Sequence, residues 1–229
     1  MHVRNRKPWL IIVIAAIALA VCLALAHRRN LTDIALYRIE NILDGSPAKV
    51  QLIRNPRTAA DRIVNGAKME AINGVRYDPS YVRISYPNGD VPANQGVCTD
   101  VVIRAPRSAG FDLQMLIHRD MMAHFNLYPR KWGLSRPDPN IDHRRVPNQM
   151  VFFRRFGTEL PTSTRSPDLR TWQPGDIVYW ELANGHTGIV SNVKNNRGIP
   201  LVIHNLSTAR EEDCLESWPI VGHFRYPKR

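Results

Sequence analysis

Pro174-Gly175-Asp176-Ile177-Val178-Tyr179-Trp180, followed after the turn Asn184-Gly185 by His186-Thr187-Gly188-Ile189-Val190, is the stretch on which the reading of the fold turns. Each half is a short run of β-branched and aromatic residues, and a glycine turn joins them, so the pair reads as two antiparallel strands. The next runs repeat the pattern. Strands are expected over 176–180, 186–193, 200–205 and 220–226, with Asn195-Asn196-Arg197-Gly198 turning the chain between the second and third.

Upstream the period changes from two to that of a helix. Leu113, Leu116, Ile117, Met121 and Phe125 fall on one face of a helix expected over 112–125. A helix over about 56–72 stops at Asn73-Gly74, and another begins at Cys98, with Pro106 ending or kinking it. Residues 77–97 and the basic stretch 128–148 are rich in proline and read as irregular. Helices first and strands after predict an α+β domain over 56–229, with an antiparallel sheet and a preceding linker or helix over 30–55. The 44% hydrophobic content is enough for one packed core.

Gly96-Val97-Cys98-Thr99-Asp100 places a cysteine where a loop becomes a helix. Unpaired N–H groups and the helix dipole favour an anion there, so Cys98 is expected to be a free thiol with a lowered pKa. Cys214 lies among Glu211, Glu212, Asp213 and Glu216, which disfavour a thiolate. The competing reading is a Cys98–Cys214 disulfide. A thiolate nucleophile needs a base and an orienting group. His186, at the start of one strand, and His204, in the next, could lie side by side on adjacent antiparallel strands. Taken singly, each histidine also reads as a satisfied structural residue.

These words resemble the NlpC-type and CHAP-type papain-like peptidases. In those families a cysteine opens a helix, a Pro-Gly-Asp strand follows, and a His-x-Gly-Ile strand carries the base. A closer resemblance covers residues 57–229. Tyr86-Pro-Asn-Gly-Asp90, Gly96-Val-Cys-Thr-Asp100, Ile141-Asp-His-Arg-Arg-Val-Pro-Asn148 and Val202-Ile-His-Asn205 are similar to a bacterial family of unknown function within the papain-like clan. The resemblance implies a papain-like, NlpC-type fold whose nucleophile helix packs on the sheet. It implies catalysis by Cys98, His186 and His204, with Tyr86 assisting the oxyanion and Tyr77 and Tyr81 as competitors for that role. The implied activity is a cell-envelope cysteine amidase or peptidase acting on peptidoglycan peptides. An inactive wall-binding scaffold and an acyltransferase are the alternatives on the same fold. Arg144 and Arg145, in the loop between helices and sheet, are expected either to bind substrate carboxylates or to be held internally by Asp142.

The other classes are excluded on simple grounds. His143, His186, His204 and His223 have no tight ligand spacing, so no metal and no cofactor is expected. The net charge of +11 carries no nucleic-acid motif. His118-Arg119-Asp120 spells a kinase triplet but sits inside an amphipathic helix with no glycine-rich loop before it.

Trp9–Ala26 carries no charge and follows Arg4, Arg6 and Lys7. It reads as a signal anchor in the inner membrane or as a cleavable signal peptide, within a segment 1–29. Either way the domain is expected to face the periplasm. A C-terminal alkaline phosphatase fusion should therefore be active; an inactive, stable fusion would place the domain on the other side.

Overall fold

The computed structural model describes Thr32 and residues 50–228. The apolar run Trp9–Ala26, and all but Thr32 and residues 50–55 of the linker or helix expected over 30–55, lie outside the described residues. Among the described residues no helix is long and apolar enough to cross a membrane. Residues 50–228 fall within one compact unit, Ser46–Arg229.

The helices come first. They are α1 (Ala59–Ile72), α2 (Cys98–Arg107), α3 (Leu113–His124) and α4 (Val146–Phe156). A two-residue parallel ladder, β1 (Arg76–Tyr77) with β2 (Gln95–Gly96), closes the loop that leads into α2. The main sheet contains β3 (Thr158–Glu159), β4 (Ile177–Trp180), β5 (His186–Lys194), β6 (Pro200–Asn205), β7 (Ala209–Glu212) and β8 (Ile220–Arg225). Its order is β3-β8-β4-β5-β6-β7, and every pairing is antiparallel. The α+β class and the antiparallel sheet are as the sequence pattern indicates.

Alternation along the strands gives the sheet two unlike faces. Ile177, Tyr179, Ile189, Ile203 and Phe224 pack with Ile63, Val64, Val101, Val102 and Phe153 of the helices into the main core. Val178, Trp180, Val190 and Val202 point the other way and meet Trp172, Cys214 and Leu215 in a second core. Helices therefore cover one face, and the loops around Trp172 and Leu215 cover the other.

The Pro174-Gly175-Asp176 word is a structural joint. Gly175 adopts φ +86°, and a Cβ there would sit 3.2 Å from Ala60 of α1. Asp176 is buried and takes the Gln173 N–H at 2.8 Å, His223 Nε2 at 2.9 Å and Arg225 Nε at 2.7 Å. It ties the start of β4 to β8.

One buried ion pair sets the N-terminus of α2. Asp100 accepts the Val97 N–H at 2.7 Å, capping the helix, and holds Arg144 through Nε at 2.7 Å and a second nitrogen at 2.8 Å. Both side chains are 5% exposed or less. Arg104, further along α2, binds the carbonyls of Val91, Pro92 and Gln95 and the carboxylates of Asp90 and Glu70. The two arginines hold the segments on either side of the helix against it. Removing one member of a buried pair leaves an uncompensated charge, which costs about 3–5 kcal/mol. Asp100→Ala should lose that much stability in urea unfolding; a loss below about 1 kcal/mol would show that the pair is not what holds α2.

Candidate functional site

Cys98 is the first residue of α2 and is 7% exposed. Its sulfur meets the beginning of β5: the Thr187 backbone N–H faces it, as do those of Thr99 and Cys98 itself. Those donors favour a thiolate, but burial outweighs them and, with the nearby Asp100 charge, pushes the thiol up to about 12. The lowered thiol expected of a helix start is thus reversed, because the same position is buried. Cys98 and Cys214 are both free, so the disulfide reading is set aside. Burial first, then Glu212 and Asp213, hold the Cys214 thiol well above its ordinary range.

His186 and His204 come together as the strand register requires. Gly188 pairs with His204 across β5 and β6. A Cβ at Gly188 would lie 2.6 Å from Val202 Cγ1 and 2.8 Å from the Ile203 carbonyl, so only glycine allows this approach. His186 Nε2 and His204 Nδ1 are 2.8 Å apart, and both rings are buried. Trp180 stacks on His186 with centroids 5.4 Å apart, and Trp218 meets both imidazoles edge-on. Burial and the neighbouring His204 hold His186 well below the usual imidazole range, so its resting form is neutral. His204 Nε2 lies 3.4 Å from Glu212 Oε2 on β7. The sequence reading passed over Glu212, whose only signal was its place in an acidic cluster.

His186 shares a face with Trp180, while Thr187 and Tyr179 face the helices. Cys98 reaches the strand at its first residues, through the Thr187 N–H that lies between the two faces. Among the described residues no hydrogen bond joins Cys98 to His186. Nε2 of His186 is the nitrogen engaged by His204.

The remaining site residues divide. Tyr86 is 41% exposed and packs edge-to-face on His118 of α3 at 4.9 Å. Tyr77 instead pairs with Gly96, two positions before Cys98, through the parallel β1–β2 ladder. Asn205 Nδ2 donates to the carbonyls of Val75 and Gly96 at 3.1 and 3.3 Å, fixing that ladder to the end of β6. Arg144 is committed to Asp100, and Arg145 to Asp142 at 2.9 Å, with its guanidinium stacked 4.0 Å over Trp132. The carboxylates these two arginines hold in the structure, Asp100 and Asp142, are internal ones. Among the described residues no group of histidine, cysteine and carboxylate side chains could hold a metal ion. A groove of about 570 Å³, lined in part by Lys131, Trp132, Met150, Trp180, Leu182 and Gly185, opens beside the turn into β5.

A family model described as Domain of unknown function (DUF1287) matches residues 64–226, which include every residue of this site. The chain belongs to that family. It is also 50% identical over 183 residues to the uncharacterized protein YijF of Escherichia coli (strain K12), covering 79% of this chain and 86% of that protein. No solved structure matches the chain significantly.

His143, 2% exposed, gives the fold a pH dependence. Burial, and then the Arg144 charge, lower it from 6.5 to about 3, and its Nδ1 is buried without a hydrogen-bond partner. As pH falls below 6.5 the unfolded chain takes up this proton first, so stability is present above 6.5 and drains away down to about 3. The slope is up to about 1.4 kcal/mol per pH unit for each such histidine, and His186 adds to it in the same direction. Urea midpoints should fall steadily from pH 7 to 4, and His143→Leu should flatten the slope. An unchanged slope in that variant would contradict the assignment.

Proposed function

We propose that the protein is a cell-envelope cysteine amidase or peptidase of papain-like, NlpC-type fold that cleaves peptide amide bonds of peptidoglycan through a Cys98 thioester. The observation that carries this reading is the placement of Cys98. It opens a helix, three backbone N–H groups surround its sulfur, and it abuts the strand whose histidine keeps Nδ1 available while Nε2 engages His204. The implied compartment is the periplasmic side of the inner membrane, through residues 9–26, or the periplasm itself if the segment is cleaved. No cofactor enters the reaction.

In the reaction, His186 Nδ1 takes the proton from the Cys98 thiol as sulfur attacks the amide carbonyl. The charge that develops on the carbonyl oxygen is met by the Cys98 N–H, with the phenol of Tyr86, or of Tyr77 whose backbone pairs with Gly96, as the further donor. The tetrahedral intermediate collapses when His186 returns its proton to the leaving nitrogen, and water then hydrolyses the thioester by the same base. The neutral resting state of both partners suits this sequence, since the proton moves at the moment of attack. The groove beside Gly185 provides a path for a peptide to reach the strand end.

A second reading rests on the burial of Cys98. A thiol 7% exposed and pushed up to about 12 also suits a silent papain-like scaffold that binds wall polymer without cutting it.

Digestion of purified sacculi by the full chain, followed by mass spectrometry of the released fragments, separates the two. The enzyme reading expects new termini at peptide amide bonds. Cys98→Ala should abolish them, and His186→Ala should cost more of the rate than His204→Ala. Sacculi left intact by a folded protein that still binds them would favour the scaffold.

A further inference from the structure

The catalytic reading constrains where every proton in the site must be, and those constraints lead to Glu212. For His186 to act as a base through Nδ1, that nitrogen must carry no proton. A neutral imidazole then has its hydrogen on Nε2, which donates to His204 Nδ1 across the 2.8 Å contact. His204 Nδ1 must therefore accept, so a neutral His204 carries its own hydrogen on Nε2. That nitrogen faces Glu212 Oε2 at 3.4 Å. The opposite arrangement, with the hydrogen on His204 Nδ1, would make His186 Nε2 the acceptor and put a hydrogen on the nitrogen the thiol needs.

We infer that Glu212 is a positioning residue that sets the direction of this hydrogen-bond chain, by accepting from His204 Nε2 and so keeping His186 Nδ1 open for Cys98. The inference rests on the catalytic reading above and extends it by one member. The register supports it: β7 pairs with β6 so that Val202 lies opposite Glu212 and His204 opposite Arg210, placing all four side chains on the face of Trp180. Glu212 is 18% exposed on its side chain, which keeps the carboxylate close to water at one end and to a buried ring at the other. Arg210 Nε lies 3.8 Å from the other carboxylate oxygen, and Cys214 senses the same charge. When His186 takes up the thiol proton, the new positive charge is shared across two buried rings, and the Glu212 carboxylate is the negative charge at their far end. The contact is long at rest and has room to shorten as that charge develops.

Histidine-labelled full chain, studied by long-range proton–nitrogen NMR, reads the tautomers without any substrate. Both His186 and His204 should carry hydrogen on Nε2 and none on Nδ1. Glu212→Leu, which removes the acceptor, should reverse or mix the two tautomers and slow iodoacetamide alkylation of Cys98 at neutral pH by about tenfold or more. Glu212→Gln, which keeps an acceptor oxygen, should restore the tautomers. A hydrogen on Nδ1 of either ring in the wild type would overturn the inference, even if sacculi are cleaved. Wild-type tautomers and alkylation rate in Glu212→Leu would overturn it equally. Failure of the catalytic reading would show elsewhere, as full activity in Cys98→Ala.

Discussion

The carboxylate of Asp100 is the group on which the rest of the site depends. It caps the helix that begins at Cys98 and holds Arg144, whose chain segment folds back over that helix. The Arg144 carbonyl accepts the Thr99 hydroxyl at 3.0 Å, so the loop and the first turn are joined twice. Without this clamp the helix start would be free to fray, since its first N–H groups have no partners within the helix. With it, the sulfur is held against the opening residues of β5. The same commitment places the Arg144 guanidinium, 5% exposed and held twice by Asp100, inside the fold.

Burial sets the chemistry of the site more than helix position does. A helix N-terminus favours a thiolate by an amount that an exposed site would reveal, yet Cys98 ends up as a neutral thiol because it is enclosed by Tyr179, Thr187 and the main core. His186 is enclosed in the same way on the opposite face, between Trp180 and Trp218, and stays neutral for the same reason. Two neutral partners in a dry setting store no ion pair in the resting state. In the proposed reaction, separation of charge is deferred until a carbonyl carbon receives the electron pair, where a fixed N–H group can meet it.

Much of this was legible in the chain, and the gaps have physical causes. The strands over 177–180, 186–194, 200–205 and 220–225 could be read because alternation, β-branching and glycine turns agree there. β7 escaped because Ala209-Arg-Glu-Glu212 is a polar edge strand, whose partners lie on one side only. α4 was hidden by the proline-rich run before it; Pro147 in fact occupies its first turn, where a missing N–H costs nothing. Cys98, His186 and His204 could be singled out from residue type and chain order, and the two histidines as neighbours, but the groups beyond them could not. Tyr77 meets Gly96 through a parallel ladder, and Glu212 meets His204 across the last strand pair; both contacts depend on register rather than on sequence proximity. Tyr86, marked in the sequence by its spacing from Cys98, packs on His118.

The central claim is that the thiol and the paired imidazoles form one working site although the thiol comes from a helix on one face of the sheet and the imidazoles from the other face. The rate of Cys98 alkylation as a function of pH, in the wild type and in His186→Ala, tests it without assuming a substrate. The account predicts that the wild type reacts at neutral pH through His186, and that His186→Ala reacts at least about tenfold more slowly until the pH nears the thiol's own raised ionisation. Matching profiles in the two proteins would contradict it, and would mean that His186 and Cys98 do not act on one another.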